Sequence, residues 1–219
     1  GMFMSGGTVN TNRVDSGDGT TAASISVLQV NGGTLNTARY IMFRNERWEF
    51  TVTGGQVIRT GEHIALAFRS GATAGTATTT AQGVMTVAGG LVNNGAFQVT
   101  IGQQNDGAAK GAAHLNLNAG TLVNNQILLY NNTGTANTGV VNFNGGTLRA
   151  STSNPLVAVT GTGGASTLAT YVNGAFGTFA GGAVIDTNGF NPSLPTALLA
   201  PTGDGVSSIP LTNGGGGYI

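Results

Sequence analysis

One short phrase is written seven times along this chain, and it limits what the chain can fold into. It reads Met4-Ser-Gly-Gly-Thr-Val-Asn at the first copy, Val30-Asn-Gly-Gly-Thr-Leu-Asn at the second and Phe143-Asn-Gly-Gly-Thr-Leu at the sixth. Aligned on the second glycine, the copies fall at Gly7, Gly33, Gly55, Gly90, Gly120, Gly146 and Gly182. The differences between those numbers put the copies 22 to 36 residues apart. Self-similarity at such a period is the signature of a stacked repeat architecture.

The columns of this alignment show strands. Met4, Val30, Val52, Val87, Leu117, Phe143 and Phe179 stand three residues before the second glycine. Val9, Leu35, Val57, Val92, Leu122, Leu148 and Val184 stand two residues after it. Apolar residues that alternate with polar ones have the period of a strand buried on one face. The glycine pair then breaks the strand, because glycine reaches backbone angles closed to other residues and lets the chain turn a corner. The seven glycines are therefore assigned as structural turn residues, with Gly33, Gly55 and Gly146 at corners that a Cβ would disfavour.

A second apolar run follows each of four copies, at Arg39 to Arg44, Glu62 to Arg69, Ala96 to Ile101 and Gln126 to Tyr130. Each repeat thus holds two or three short strands and no sustained helical period. A single helical turn is predicted at Ser193 to Ala200. The expected fold is all-β, a right-handed parallel β-helix of about seven irregular coils. Residues 1–186 form the repeat coils, and residues 187–219 a closing segment that continues the solenoid. Stacking places like on like from coil to coil. The column before the glycine pair (Ser5, Asn31, Thr53, Ala88, Asn118, Asn144, Ala180) and the set Asn10, Asn36 and Asn93 are read as hydrogen-bonding ladders. The first copy begins in mid-strand at Met2, so an uncapped end that pairs with another coil is expected.

Composition narrows the function. Forty per cent of the residues are hydrophobic and recur in register, which disordered low-complexity chains lack. Lys and Arg number 8, Asp and Glu 8, so there is no basic excess to neutralise phosphates and no nucleic-acid partner is expected. No apolar stretch reaches the roughly 20 residues of a membrane helix, so no membrane insertion is expected. The chain has no cysteine, which suits a stack stabilised by pairing between coils rather than by disulfides.

The phrases resemble the autotransporter-associated β-strand repeat of large exported bacterial surface proteins. The shared pattern, apolar-x-apolar-x-Gly-Gly-Thr-Leu, covers residues 2 to about 186. The closing run Gly181-Gly-Ala-Val-Ile-Asp-Thr-Asn-Gly-Phe-Asn, with Leu199-Ala-Pro-Thr-Gly-Asp and Leu211-Thr-Asn-Gly-Gly-Gly-Gly-Tyr, looks like a junction within such proteins. The resemblance implies a right-handed β-helix at the extracellular surface of a bacterium, adhesive or structural roles, and no catalytic residues.

The few charged residues bear on chemistry. Arg44, Glu46, Arg47, Trp48 and Glu49 crowd around the only tryptophan and make a candidate glycan-binding surface, the alternative being a loop of local ion pairs. His63 and His114 are too far apart in sequence to read as a metal motif, and Asp15 to Gly19 reads as an acidic turn rather than a calcium loop. Asp15, Asp18, Glu46, Glu49, Glu62, Asp106, Asp186 and Asp204 occupy different offsets from the glycine pair, which argues against the paired carboxylates of a lyase or hydrolase. No enzyme, cofactor or metal is expected. Asn131 opens an acceptor sequon, and Thr78, Thr79 and Thr80 close a Thr/Ala/Gly stretch; both are candidate glycosylation sites. The expected function is a structural segment of a surface filament or stalk stacked end to end on itself. The runner-up is an adhesin segment that binds polysaccharide.

Overall fold

The computed structural model describes residues 1–16, 25–44, 47–68, 81–103, 111–175 and 177–201. The chain is all-β, with no helix among these residues. The first repeat gives β1 (Met2–Thr11) and β2 (Val14–Asp15), and the second β3 (Ile25–Thr37) and β4 (Ile41–Arg44). The third gives β5 (Arg47–Val52), β6 (Gln56–Arg59) and β7 (Ile64–Phe68); the fourth gives β8 (Ala81–Asn93) and β9 (Gln98–Ile101). From the fifth come β10 (Gly111–Asn124) and β11 (Gln126–Tyr130), and from the sixth β12 (Thr138–Phe143), β13 (Thr147–Ala150) and β14 (Val157–Thr160). Last come β15 (Thr167–Val172), β16 (Val184–Asp186) and β17 (Leu198–Leu199).

Two parallel sheets result. One runs β1-β3-β5-β8-β10-β12-β15-β17, with β6 beside β3 and β8, and β13 beside β10 and β16. The other runs β14-β11-β9-β7-β4-β2. Parallel neighbours need long crossovers, and here each crossover is the rest of a repeat. The register puts like on like: Leu28, Phe50, Met85, Leu115 and Val141 pair in succession, as do Leu35, Val57, Val92, Leu122 and Leu148. In the second sheet Ile41, Ile64, Val99, Ile127 and Val157 do the same. These columns form one continuous buried core.

The glycine pairs sit where the ladder is irregular, with register shifts between Ser5 and Thr8 and between Leu117 and Thr121. Gly33 and Gly55 have φ of 76° and 69°. A Cβ at Gly33 would fall on the carbonyl oxygen of Gly7, and one at Gly55 on that of Gly33. Each corner is thus glycine for two reasons, its backbone angle and the corner stacked against it. The sixth corner differs from the sequence reading. There the positive φ, 102°, belongs to Gly145, and Gly146 is not in the left-handed region.

The seventh copy is also displaced. Phe143 pairs with Val172 rather than Phe179, and Leu148 pairs with Ile185 rather than Val184. The cause is a loop. Asn173 N–H donates to Phe143 O at 2.8 Å, and Gly182 N–H donates to Asn173 O at 2.8 Å, so the chain re-enters the ladder only at the glycine. The strand position had already been filled by Thr167–Val172, whose Leu168, Thr170 and Val172 pair with Gly139, Val141 and Phe143. The helical turn expected at Ser193 to Ala200 is extended chain with the short β17. Leu198 and Leu199 pair instead with Thr170 and Tyr171 of β15.

Asparagine ladders join repeats on the surface. Asn36 Nδ2 donates to Asn10 Oδ1 at 2.8 Å, Thr53 Oγ1 to Asn31 Oδ1 at 2.7 Å, and Asn142 Nδ2 to Asn116 Oδ1 at 2.8 Å. Asn93 does not extend the first of these: Ile58 stands between it and Asn36, and its Oδ1 accepts from Gly95 N–H at 3.0 Å.

Candidate functional site

The five residues grouped around Trp48 do not share a face. In β5 side chains alternate, so Arg47 and Glu49 are exposed while Trp48 points inward and is only 3% exposed. Its indole stacks on Phe43, with ring centroids 4.9 Å apart and planes 19° from parallel. A ring held this way offers no open face to a sugar, so the expected stacking platform is a core residue. Arg44 lies in the other sheet, where its Nη2 is 3.0 Å from Asp15 Oδ2 and its guanidinium is over the Phe68 ring. Glu46 lies outside the described residues. Glu49 Oε1 accepts from Thr51 Oγ1 at 3.1 Å.

The other carboxylates are held by arginines rather than by each other. Asp186 Oδ2 is 2.6 Å from Arg149 Nε, and that hydrogen bond holds the Asp186 carboxyl below its ordinary range. Glu62 Oε1 accepts from both Nε and Nη2 of Arg39, at 2.9 and 2.8 Å. Asp18, Asp106 and Asp204 lie outside the described residues. Among the described residues no three His, Cys, Asp or Glu side chains come together as metal ligands.

A buried polar ladder was missed by the sequence reading. Arg59, 3% exposed, donates from Nε to Asn94 Oδ1 at 2.7 Å and from Nη1 to Thr37 Oγ1 at 3.3 Å, and its Nη2 donates to Gly61 O. Asn94 Nδ2 donates onward to Asn124 Oδ1 at 2.8 Å. Thr37, Arg59, Asn94 and Asn124 each stand four residues after the second glycine, the same strand parity as the apolar column two after it. Burial pushes the Arg59 guanidinium down to about 10, far enough above neutrality to leave it charged. A charge in this position needs the acceptors it has, and the ladder pins four successive repeats in one register.

His63 sits beside this ladder, between the rings of Tyr40 and Phe97. Its Nδ1 accepts from Gln98 N–H at 3.3 Å. Burial lowers its pKa, the Arg59 charge lowers it further, and Glu62 partly opposes both. On acidification the unfolded chain takes up its proton first, near the ordinary value of about 6.5. Stability should therefore hold above that pH and fall as pH drops from about 6.5 through the lower folded value. Thermal melts across that window should show the loss, and His63→Gln, which cannot titrate, should flatten it.

Asn131 is half-buried, and its Oδ1 accepts from Ser166 N–H at 3.0 Å. Thr133, which completes the sequon, is exposed. Thr78, Thr79 and Thr80 lie outside the described residues.

No protein-family model, curated protein or solved structure matches this chain.

Proposed function

We propose that the chain is a right-handed parallel β-helix of about seven irregular coils. It serves as a non-catalytic extracellular subunit or segment of a bacterial surface filament or stalk, built by end-to-end stacking. Support for the fold comes from the two parallel sheets, to which successive repeats add strands in the same order. Parallel crossovers within a sheet are right-handed in about 98% of cases. Support for the surface location comes from the resemblance of the repeated phrase to autotransporter-associated repeats.

The observation that carries the stacking is β1. It is a ten-residue strand that, among the described residues, pairs with β3 alone, and it contains no charge and no proline. Natural edge strands are blunted by such residues, and an unblunted edge is a template for another strand. At the far end Leu198 and Val159 continue columns that are buried in earlier coils, yet they are 44% exposed. A following coil would cover them. Glycan stacking on Trp48 is not retained, because the ring is in the core.

Electron microscopy and sedimentation should show rods that lengthen with protein concentration. Phe3→Lys with Thr8→Lys, both on exposed positions of β1, should hold the rods at one length. A monodisperse monomer at every concentration, with or without the lysines, would defeat the stacking.

A further inference from the structure

The outer face of the larger sheet has an open-sided hollow of about 540 Å³ across the starts of β5, β8 and β10. Arg47, Gln82, Val84 and His114 line it. Arg47 pairs in register with Gln82, and Val84 with His114, so the four groups form a compact patch. Among the described residues the side chains of Arg47, Gln82 and His114 have no hydrogen-bond or ionic partner. Glu49, the nearest carboxylate along β5, is engaged by Thr51.

Trp48 also lines the hollow, next to Gly83, its partner in register. A Cβ at Gly83 would overlap the indole, so the missing side chain is what admits the ring there. The Trp48 Nε1–H is buried and has no acceptor. The walls therefore supply a guanidinium, an amide and an imidazole, without partners among the described residues. Val84 is exposed, an apolar contact flanked in register by His114 on one side and Glu49 on the other.

We propose that this hollow binds an acidic saccharide, a uronic-acid oligomer whose carboxylate meets Arg47 and whose C–H face lies on Val84. An unpaired guanidinium matches a carboxylate in a two-pronged, charge-assisted pair. The exposed valine favours a ring with an apolar face over a bare inorganic anion. Three strands at their usual spacing give a length of about 10 Å, suited to a short oligomer. The volume lies within the range of about 300–1,000 Å³ typical of small-ligand sites. The site does not depend on stacking, since its residues all lie in mid-chain repeats.

The test is titration with tri-galacturonate, read by calorimetry and by the emission of Trp48, the only tryptophan. A saturable signal in both is expected, weakened at least about tenfold for the fully methyl-esterified trimer and for Arg47→Ala. Arg47 is exposed, so Arg47→Ala should melt like the parent chain, and the loss then reports on binding. His114→Ala and Gln82→Ala should each weaken binding by a smaller factor. No heat and no change in emission up to about 1 mM trimer would overturn the site, as would equal binding of the ester or by Arg47→Ala. The lysine-substituted, non-stacking β1 variant should bind equally well, which separates this site from the filament.

Discussion

Gly55→Val should lower the unfolding free energy by more than about 3 kcal/mol, whereas Gly6→Ala should leave it nearly unchanged. The difference lies in two independent costs. At Gly55 φ is 69°, and a Cβ would fall on the backbone of Gly32 and Gly33 in the preceding corner. A residue with a Cβ held in the left-handed region costs about 1–3 kcal/mol by itself, and a β-branched one is worst suited to it. The contact adds to this, because the atoms met are backbone and cannot rotate away. Gly7 separates the two costs: its φ is 72°, but nothing lies within 4 Å of an added Cβ. Gly7→Ala should therefore show the conformational cost alone, about 1 kcal/mol. Gly6 has neither feature. Chemical denaturation of Gly6→Ala, Gly7→Ala, Gly55→Ala and Gly55→Val should rank in that order. Equal losses at Gly7→Ala and Gly55→Ala would show that the stacked corners contribute nothing.

The same corners explain what could be read from the sequence. A glycine pair flanked by alternating apolar residues specifies a strand, a turn and a strand, and each further copy repeats the message. Local pattern was enough for most strands of the larger sheet, for β4, β7, β9 and β11 of the second, and for most of the core columns; β2 and β14 were not read from it. Displacement of the seventh copy was hidden because Gly181-Gly-Ala-Val repeats the phrase, while Thr167–Val172 has neither the glycines nor an apolar residue at the inward position of Thr170. Only long-range pairing to Phe143 decides between them. Gly145 in place of Gly146 is a one-residue slip of the bend, which two adjacent glycines allow at little cost.

Trp48 was misread for a different reason, and Arg59 was not singled out at all. Both stand at odd-looking positions for their chemistry but at the right parity for the interior: Trp48 two before Phe50, Arg59 two after Val57. Clustering with charged residues suggested surface for Trp48; strand alternation, followed strictly, puts both inside. Asn94 and Asn124, four residues after their glycines, repeat the offset of Arg59 and were the available signal for a buried ladder. The groups that line the hollow were legible only in part. Arg47 stood out in sequence, but Gln82 and His114 join it through parallel pairing between repeats, which no local pattern states.

Trp48→Ala should cost about 3–5 kcal/mol, the range for removing a large aromatic from a core. The residue looks superficial in sequence, with arginine before it and glutamate after it. In the fold its ring fills the space left by Gly83, rests on Phe43 and is almost wholly enclosed. Neighbouring repeats cannot close the resulting void cheaply, because Phe50 is fixed between Leu28 and Met85 in its column and Phe43 is itself buried. Trp48→Phe should lose less, since it keeps the aromatic contact and removes the buried N–H that has no acceptor. The parent chain should also emit at short wavelength, as an indole out of water does, and shift red on unfolding. Equilibrium unfolding followed by circular dichroism can rank the three chains without using the tryptophan itself. If Trp48→Ala melts with the parent, the ring is not packed in the core, and both its burial and the wall it gives the hollow are wrong.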